Sequence, residues 1–291
     1  MSPGLVVEQI FNGLVSGAIY ALMASGLSLI WGTLKMLNFA HGEFYMLGGF
    51  GVYFALLLGG LPPLVAVPVA MLGAAVVGML LERLVIHPLL DKPGWDVSPI
   101  IATLGASILL QNLALHLWGE RFKNIPYYIE GGVNLFGIRM AWQRVLIVAV
   151  TVVVIVVVVA ALRRSRWGMA LRATAQDRDA AVLAGIDVYA VYLWTLGLTA
   201  ALAALAAAML APIYSINPWM GTALLLKAFI VCVLGGLGSL EGAILGGVLL
   251  GTTESLTVLL WSSEWKDVVA FVLLILVLWV RPAGLMGTRE W

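Results

Sequence analysis

The chain has 291 residues, 62% of them apolar and only 11% charged, against about 25% charged in an ordinary soluble domain. A formal net charge of +1 without a clustered basic face argues against a nucleic-acid binder. The single cysteine, Cys232 in the run FIVCVLGG, excludes an intrachain disulfide. This is the composition of a membrane protein.

The start, MSPGLVVEQIFNG, has no basic region ahead of its first apolar stretch. No cleaved signal peptide is expected, and the first segment should remain as a span. A bilayer core about 30 Å thick needs about 20 apolar residues in a helix rising about 1.5 Å per residue. Residues 9–34 meet that requirement without a single charge. LNFAHGEFYMLGG, residues 37–49, then sets Asn38, His41 and Glu43 beside glycines that weaken helix. After Glu43 no charge occurs for 38 residues. Residues 44–81 are long enough for two helices, with GGLPP at 59–63 as the turn between them. Residues 97–119 form another span, and 145–162, VLIVAVTVVVIVVVVAAL, is apolar all round, which marks lipid contact rather than a pore.

SRWGMALRATAQDRDAAVLAGIDVY follows, polar and long enough for a helix that stops at Gly185. Residues 188–226 are uncharged but interrupted by Pro212 and Asn217-Pro218. The expectation is a helix to about Ala211, an external turn, and a second helix from near Gly221 that fails at GGLGSLEG. A helix over 243–260, a polar link SSEWKD and a last span over 268–280 complete the chain. The reading is an all-α polytopic membrane protein of about nine transmembrane helices, with eight or ten as alternatives, in a single domain over 1–291.

Orientation follows from basic residues beside the spans. Arg83 and Lys92 in one loop, and Arg163, Arg164, Arg166, Arg172 and Arg178 in another, are separated by two spans, so they share a side, expected to be cytoplasmic. The loop from Arg121 to Arg144 then falls outside, although it holds four basic residues along with Glu120 and Glu130. The C-terminal RPAGLMGTREW falls inside and the N-terminus outside.

Two segments share a texture. NFAHGEFYMLGG and LGGLGSLEGAILGG each place a glutamate, Glu43 or Glu241, beside glycine in an apolar stretch that ends in Gly-Gly. Broken helices of this kind line the path in transporters built from internal repeats, because irregular backbone at membrane depth must be buried in protein or face a wet cavity. An acidic group at a helix centre costs about 2.5 to 3.5 kcal/mol on insertion scales. The candidate path residues are therefore Asn38, His41, Glu43, Ser239 and Glu241. The competing reading places both glutamates near the cytoplasmic interface, solvated or at a helix N-terminus where the dipole favours a carboxylate. It makes His41 a packing residue and Ser239 a turn or capping residue. Small residues at four-residue spacing (Gly13, Gly17, Ala21, Ser25; Ala200, Ala204, Ala208; Gly238, Gly242, Gly246) predict close helix packing.

Asp179-Ala180-Ala181, three residues, then Gly185 resembles the loop motif of ABC importer permeases, with aspartate in place of glutamate and without the downstream Leu-x-Pro. A short helix on such a loop can dock into a partner and act as a lever. The other reading is an interfacial amphipathic helix that only anchors the loop. More broadly, YALMASGLSLIWGTLKMLNFAHGEFYMLGGF, RATAQDRDAAVLAGI, NPWMGTALLLKAFIVCVLGGLGSLEGAILGGVLLG and KDVVAFVLLILVLWVRPAGLMG are similar to the first of the two permeases of bacterial branched-chain amino acid ABC importers. The resemblance implies a multi-pass protein of the bacterial inner membrane. Its implied partners are a second, related permease, two cytoplasmic ATPases that bind ATP and Mg, and a periplasmic or lipid-anchored binding protein. It also implies a cytoplasmic coupling helix within about 163–191, with Arg172, Asp177, Arg178, Asp179 and Gly185 as the candidate ATPase-coupling residues. The family extends to importers of urea, short amides and other amino acids.

The residues agree on one point independently: the chain contains no Gly-x-x-x-x-Gly-Lys-Ser/Thr loop to cradle ATP phosphates, so no cofactor is expected here. An ion- or proton-coupled secondary transporter or channel is the alternative, since it also explains intramembrane carboxylates, though not the arginine-rich loop. An intramembrane serine enzyme is disfavoured: GLGSLEG lacks the Gly-x-Ser-x-Gly spacing, and no histidine follows His116.

Overall fold

Hydrocarbon offers no partner for backbone N–H and C=O, so an apolar stretch that enters it must satisfy them internally, as a helix does. The computed structural model describes residues 3–90, 92, 97–135 and 138–287. Asp91 and the last four residues of RPAGLMGTREW lie outside the described residues. Among the described residues run α1 (Pro3–Leu34), α2 (His41–Leu57), α3 (Pro63–Leu81), α4 (Ser98–Trp118), α5 (Trp142–Arg164), α6 (Arg166–Gln176), α7 (Arg178–Leu183), α8 (Val188–Leu210), α9 (Met220–Gly235), α10 (Leu240–Leu260) and α11 (Lys266–Val280). Every apolar stretch marked in the sequence is a helix. Six are long and apolar enough to cross a membrane: α1, α3 with its continuation to Leu89, α4, α5, α8 and α10. Met220–Gly235 is a shorter apolar helix. The chain is an all-α, multi-pass membrane protein; among the described residues six helices have the length and composition of a span, against the nine crossings expected.

One element was not anticipated. Between α4 and α5 lies an antiparallel hairpin, β1 (Gly132–Leu135) with β2 (Ile138–Ala141), pairing Gly132 with Ala141 and Leu135 with Ile138. Strands of four residues are too short to leave an alternation signal.

The chain divides into two compact units. The first comprises Met1–Ser28, Pro126–Val154 and Leu226–Trp291; the second comprises Leu29–Ile125 and Ile155–Leu225.

In the first unit, glycines bring helices together. A Cβ at Gly17 of α1 would stand 2.7 Å from the Gly247 carbonyl oxygen of α10, and one at Gly13 would stand 2.6 Å from the Thr252 Cα. Gly242 of α10 in turn lies directly on Gly235 of α9. These are the small-residue stripes read from the sequence, with one correction: Gly238 has φ 81° and lies in the turn before α10 rather than on a helix face. Residues after α11 fold back onto the end of α9, where Leu285 N–H donates to the Leu234 carbonyl and Met286 N–H to that of Gly235, both at 2.9 Å. Carbonyls left open at the helix end are thereby satisfied.

In the second unit α2, α3 and α8 pack on one another. The alanine run of α8 supplies the flat surface: Gly48 of α2 lies against Ala204, and a Cβ at Gly78 of α3 would stand 2.7 Å from Ala200 Cβ. Phe50 of α2 stacks on Trp118 of α4 with ring centroids 4.4 Å apart. The links after α4 and after α8 are tied by a reciprocal backbone pair between Lys123 and Ile216, at 2.9 and 2.7 Å.

Candidate functional site

α1 and α2 are separated by a break rather than a long turn. Lys35 takes a left-handed φ of 52°, and the chain stays irregular to residue 40 before His41 opens α2. Asn38 shapes this segment: its buried side-chain oxygen accepts the Ala40 N–H at 3.0 Å, an Asx turn. His41 and Glu43 occupy the first turn of α2, with the His41 ring edge-on to Phe44 at 6.2 Å.

α4 closes over this break. Thr103 accepts the Phe39 N–H at 3.2 Å. One helical turn further on, Ser107 donates to Glu43 Oε1 at 3.0 Å. Glu43 is 2% exposed, and its second oxygen, like the Asn38 amide nitrogen, is buried without a hydrogen-bond partner among the described residues. The position near a helix N-terminus favours the carboxylate, but the group is not solvated. Of the five candidate path residues, Asn38, His41 and Glu43 thus meet in one unit, around two α4 hydroxyls that the sequence reading did not single out.

Ser239 and Glu241 belong to the other unit. Gly236, with φ 105°, and Gly238 make the turn after α9. Ser239 then caps α10 by accepting the Gly242 N–H at 3.0 Å. α10 begins at Leu240, earlier than the expected Ala243, because this cap extends it backwards. Glu241 lies exposed in the first turn. The two glutamates share a position relative to their helices but not their surroundings.

The expected coupling helix is two helices. α6 ends at Gln176, Asp177 is extended (φ −154°, ψ 112°), and α7 restarts at Arg178. The cause is Asp177 itself, whose carboxylate accepts the N–H groups of Asp179 at 2.9 Å and Ala180 at 3.0 Å. An aspartate that can bind backbone two and three residues ahead competes with a continuous helix. Gly185 stands just past α7 with φ 81°, and Ile186 N–H donates back to Ala181 at 3.0 Å, a Schellman-type closure. Arg172 donates to the Leu162 carbonyl at the end of α5, and Arg178 reaches the Leu90 carbonyl at 3.5 Å. Ser165 caps α6 through the Gly168 N–H at 2.9 Å. Asp177 and Asp179 remain exposed on the resulting elbow, while the arginines brace it against neighbouring segments.

A further polar cluster lies in the first unit and was missed in the sequence. Lys227 of α9 pairs with Glu254 of α10 and, at 2.5 Å, with Asp267 in the first turn of α11. Tyr20 of α1 donates to the other Glu254 oxygen at 2.8 Å. The Lys227 and Glu254 side chains are 16% and 5% exposed, while that of Asp267 is 73% exposed. Lys227 ends an uncharged run of 39 residues, the same kind of signal that marked Glu43, whereas Glu254 follows Glu241 after only 12. Among the described residues, no group of three or more His, Cys, Asp or Glu side chains could hold a metal ion.

The model of a protein family described as "Branched-chain amino acid transport system / permease component" matches residues 9–278. The chain belongs to this family. It is 38% identical to the high-affinity branched-chain amino acid transport system permease protein BraD of Pseudomonas aeruginosa, over 98% of this chain and 96% of that one. It is 37% identical to the proteins named LivH, of the same high-affinity system, from Salmonella typhimurium and from Escherichia coli K12, over the same shares. As a permease component the chain has no need of a catalytic constellation.

Proposed function

We propose that this chain is one of two permease subunits of an ATP-driven ABC importer, forming half of a path for branched-chain or other small amino acids. In this reading a periplasmic or lipid-anchored binding protein delivers the substrate. Two cytoplasmic ATPases bind ATP and Mg and move the elbow between α6 and α7. The complex sits in the bacterial inner membrane, with the N-terminus outside and the C-terminus in the cytoplasm. The observation that carries the reading is near-full-length similarity to permeases named for high-affinity branched-chain amino acid transport. Two features support it: a loop whose four turns are fixed by caps at Ser165, Asp177, Gly185 and Asp187, and a buried carboxylate with an unfilled oxygen beside a break in the helices.

Asp177 and Asp179 would meet the ATPase as surface contacts, with Arg172, Arg178 and Gly185 holding the lever's shape. Asn38, His41, Glu43, Ser239 and Glu241 would be the residues that line the path. Reconstitution tests the reading. Leucine uptake into proteoliposomes should require the second permease, the ATPases, ATP and the binding protein together. Uptake by this chain alone, driven by a proton gradient, would instead establish the ion-coupled transporter.

A further inference from the structure

We propose that a groove between α3 and α8 is a binding site for an anionic phospholipid of the inner leaflet. The groove encloses about 520 Å³, within the range of about 300–1,000 Å³ typical of small-molecule sites. Leu72, Ala75 and Met79 of α3 and Trp194, Gly197 and Ala201 of α8 line it, with the Met79 side chain seated on Gly197. The lining carries no charged residue, so the site takes hydrocarbon. Its length suits one leaflet: seven residues separate Leu72 from Met79, about 10 Å of helix, against about 15 Å for half of a hydrocarbon core.

What selects the head group is at one end. Trp167, the second residue of α6, closes the groove where α3 approaches its C-terminal end and α8 its N-terminal end. It follows directly on Arg163, Arg164 and Arg166, all exposed. No acidic residue occurs between Arg144 and Asp177; of the acidic groups at this end of α3 and α8, Glu82 is buried and bonded to His87 at 3.3 Å, and Asp187 caps α8 through the Ala190 N–H. Exposed arginines, Arg164 and Arg166 foremost, beside an indole at the mouth of a one-leaflet apolar slot complement a phosphate with a buried acyl chain, since a basic segment at the cytoplasmic surface attracts anionic lipid. Assignment to the inner leaflet rests on the orientation proposed above. The lipid would tether the α5–α6 corner, from which the elbow projects.

The test is photo-crosslinking of the assembled transporter in nanodiscs, using phosphatidylglycerol or phosphatidylcholine with a diazirine on the acyl chain, and mapping the adducts by mass spectrometry. The exposed residues Val152, Val153 and Val156 of α5 serve as the internal reference for bulk lipid contact. Phosphatidylglycerol should label the Leu72–Met79 and Trp194–Ala201 segments several-fold above that reference and above phosphatidylcholine. Replacing Arg163, Arg164 and Arg166 by Gln should erase the difference between the two lipids. Leu72→Trp, at a rim position 67% exposed and therefore harmless to folding, should reduce labelling of the groove but not of α5. Labelling equal to the reference, or a groove labelled in the isolated chain but silent in the complex, would overturn the proposal; the second outcome would make the groove a subunit interface. Because the readout is an adduct and not uptake, it can fail while the transport reading stands, or hold if the transport reading falls.

Discussion

Glu254 and Glu43 are both carboxyl groups almost fully removed from solvent, and they differ in how far their surroundings satisfy them. Glu254 has both oxygens engaged, one by the Lys227 ammonium and one by the Tyr20 hydroxyl. Its partners come from α1 and α9, and the Lys227 charge is shared further with Asp267 of α11. Glu43 has one neutral hydroxyl on one oxygen and, among the described residues, no hydrogen-bond partner on the other. A buried charge that is paired and hydrogen-bonded offsets most of its own desolvation, whereas one left half-satisfied costs free energy that nothing local returns. The first arrangement pins helices together. If Glu43 lies on the proposed path, the second leaves an oxygen for a group that comes and goes.

The contrast is broken most forcefully at Lys227. Lys227→Met leaves Glu254 buried with only Tyr20 beside it, and removing one member of a buried pair costs about 3–5 kcal/mol. The expected outcome is a large fall in thermal stability and yield of the detergent-solubilised protein. Adding Glu254→Gln to the same variant should recover most of the loss. A single variant as stable as the parent would show that the cluster does not hold the scaffold.

Ser107→Ala addresses the other side. If Glu43 were a structural group, stripping its one partner would destabilise the protein by about 1–3 kcal/mol, the cost of an unsatisfied buried polar group. If its surroundings adapt to a passing ligand, the melting temperature should hardly move while uptake declines. Glu43→Gln sharpens this further, because the amide keeps the volume and the Ser107 contact but not the charge. We expect unchanged assembly and an uptake rate lower by about tenfold, equivalent to about 1.4 kcal/mol on the barrier. Uptake equal to the parent would remove Glu43 from the path.

How much of this was legible follows the same physics. Helix positions were readable because hydrocarbon leaves the backbone one choice, and long uncharged runs between Gly-Gly and Pro-rich turns marked them to within a few residues. Glu43 stood out as a lone charge beside such a run; Lys227 carries a similar signal and Glu254 a weaker one, with Glu241 and Glu264 near it in sequence, but neither has a glycine next to it, so the texture that drew attention to Glu43 passed over them. Which of the three charges would be compensated was not readable at all. That depends on hydroxyls 64 residues away, as for Ser107 and Glu43, or 234 residues away, as for Tyr20 and Glu254, pairings that no local pattern encodes. The split of the coupling segment was available in principle: Asp177 is a strong helix-starting residue, yet the continuous run up to Gly185 masked it.

The smallest effect is expected at that split, and it separates two roles that Asp177 carries at once. As the cap of α7 it accepts two backbone N–H groups, a contribution of about 1 kcal/mol that alanine loses and asparagine keeps. As an exposed anion on the elbow it is available to a cationic surface of a partner. Asp177→Ala should therefore loosen α7 and raise amide exchange at Asp179 and Ala180, while Asp177→Asn leaves that exchange at parent level. If the elbow works only by its shape, the asparagine variant transports normally. If the charge itself meets the ATPase, Asp177→Asn uncouples ATP hydrolysis from uptake although the helix is intact, and Asp179→Asn, which caps nothing, should do the same. An asparagine variant that exchanges and transports like the parent confines Asp177 to the fold, which would place it with Glu254 among the groups that hold the scaffold and apart from Glu43.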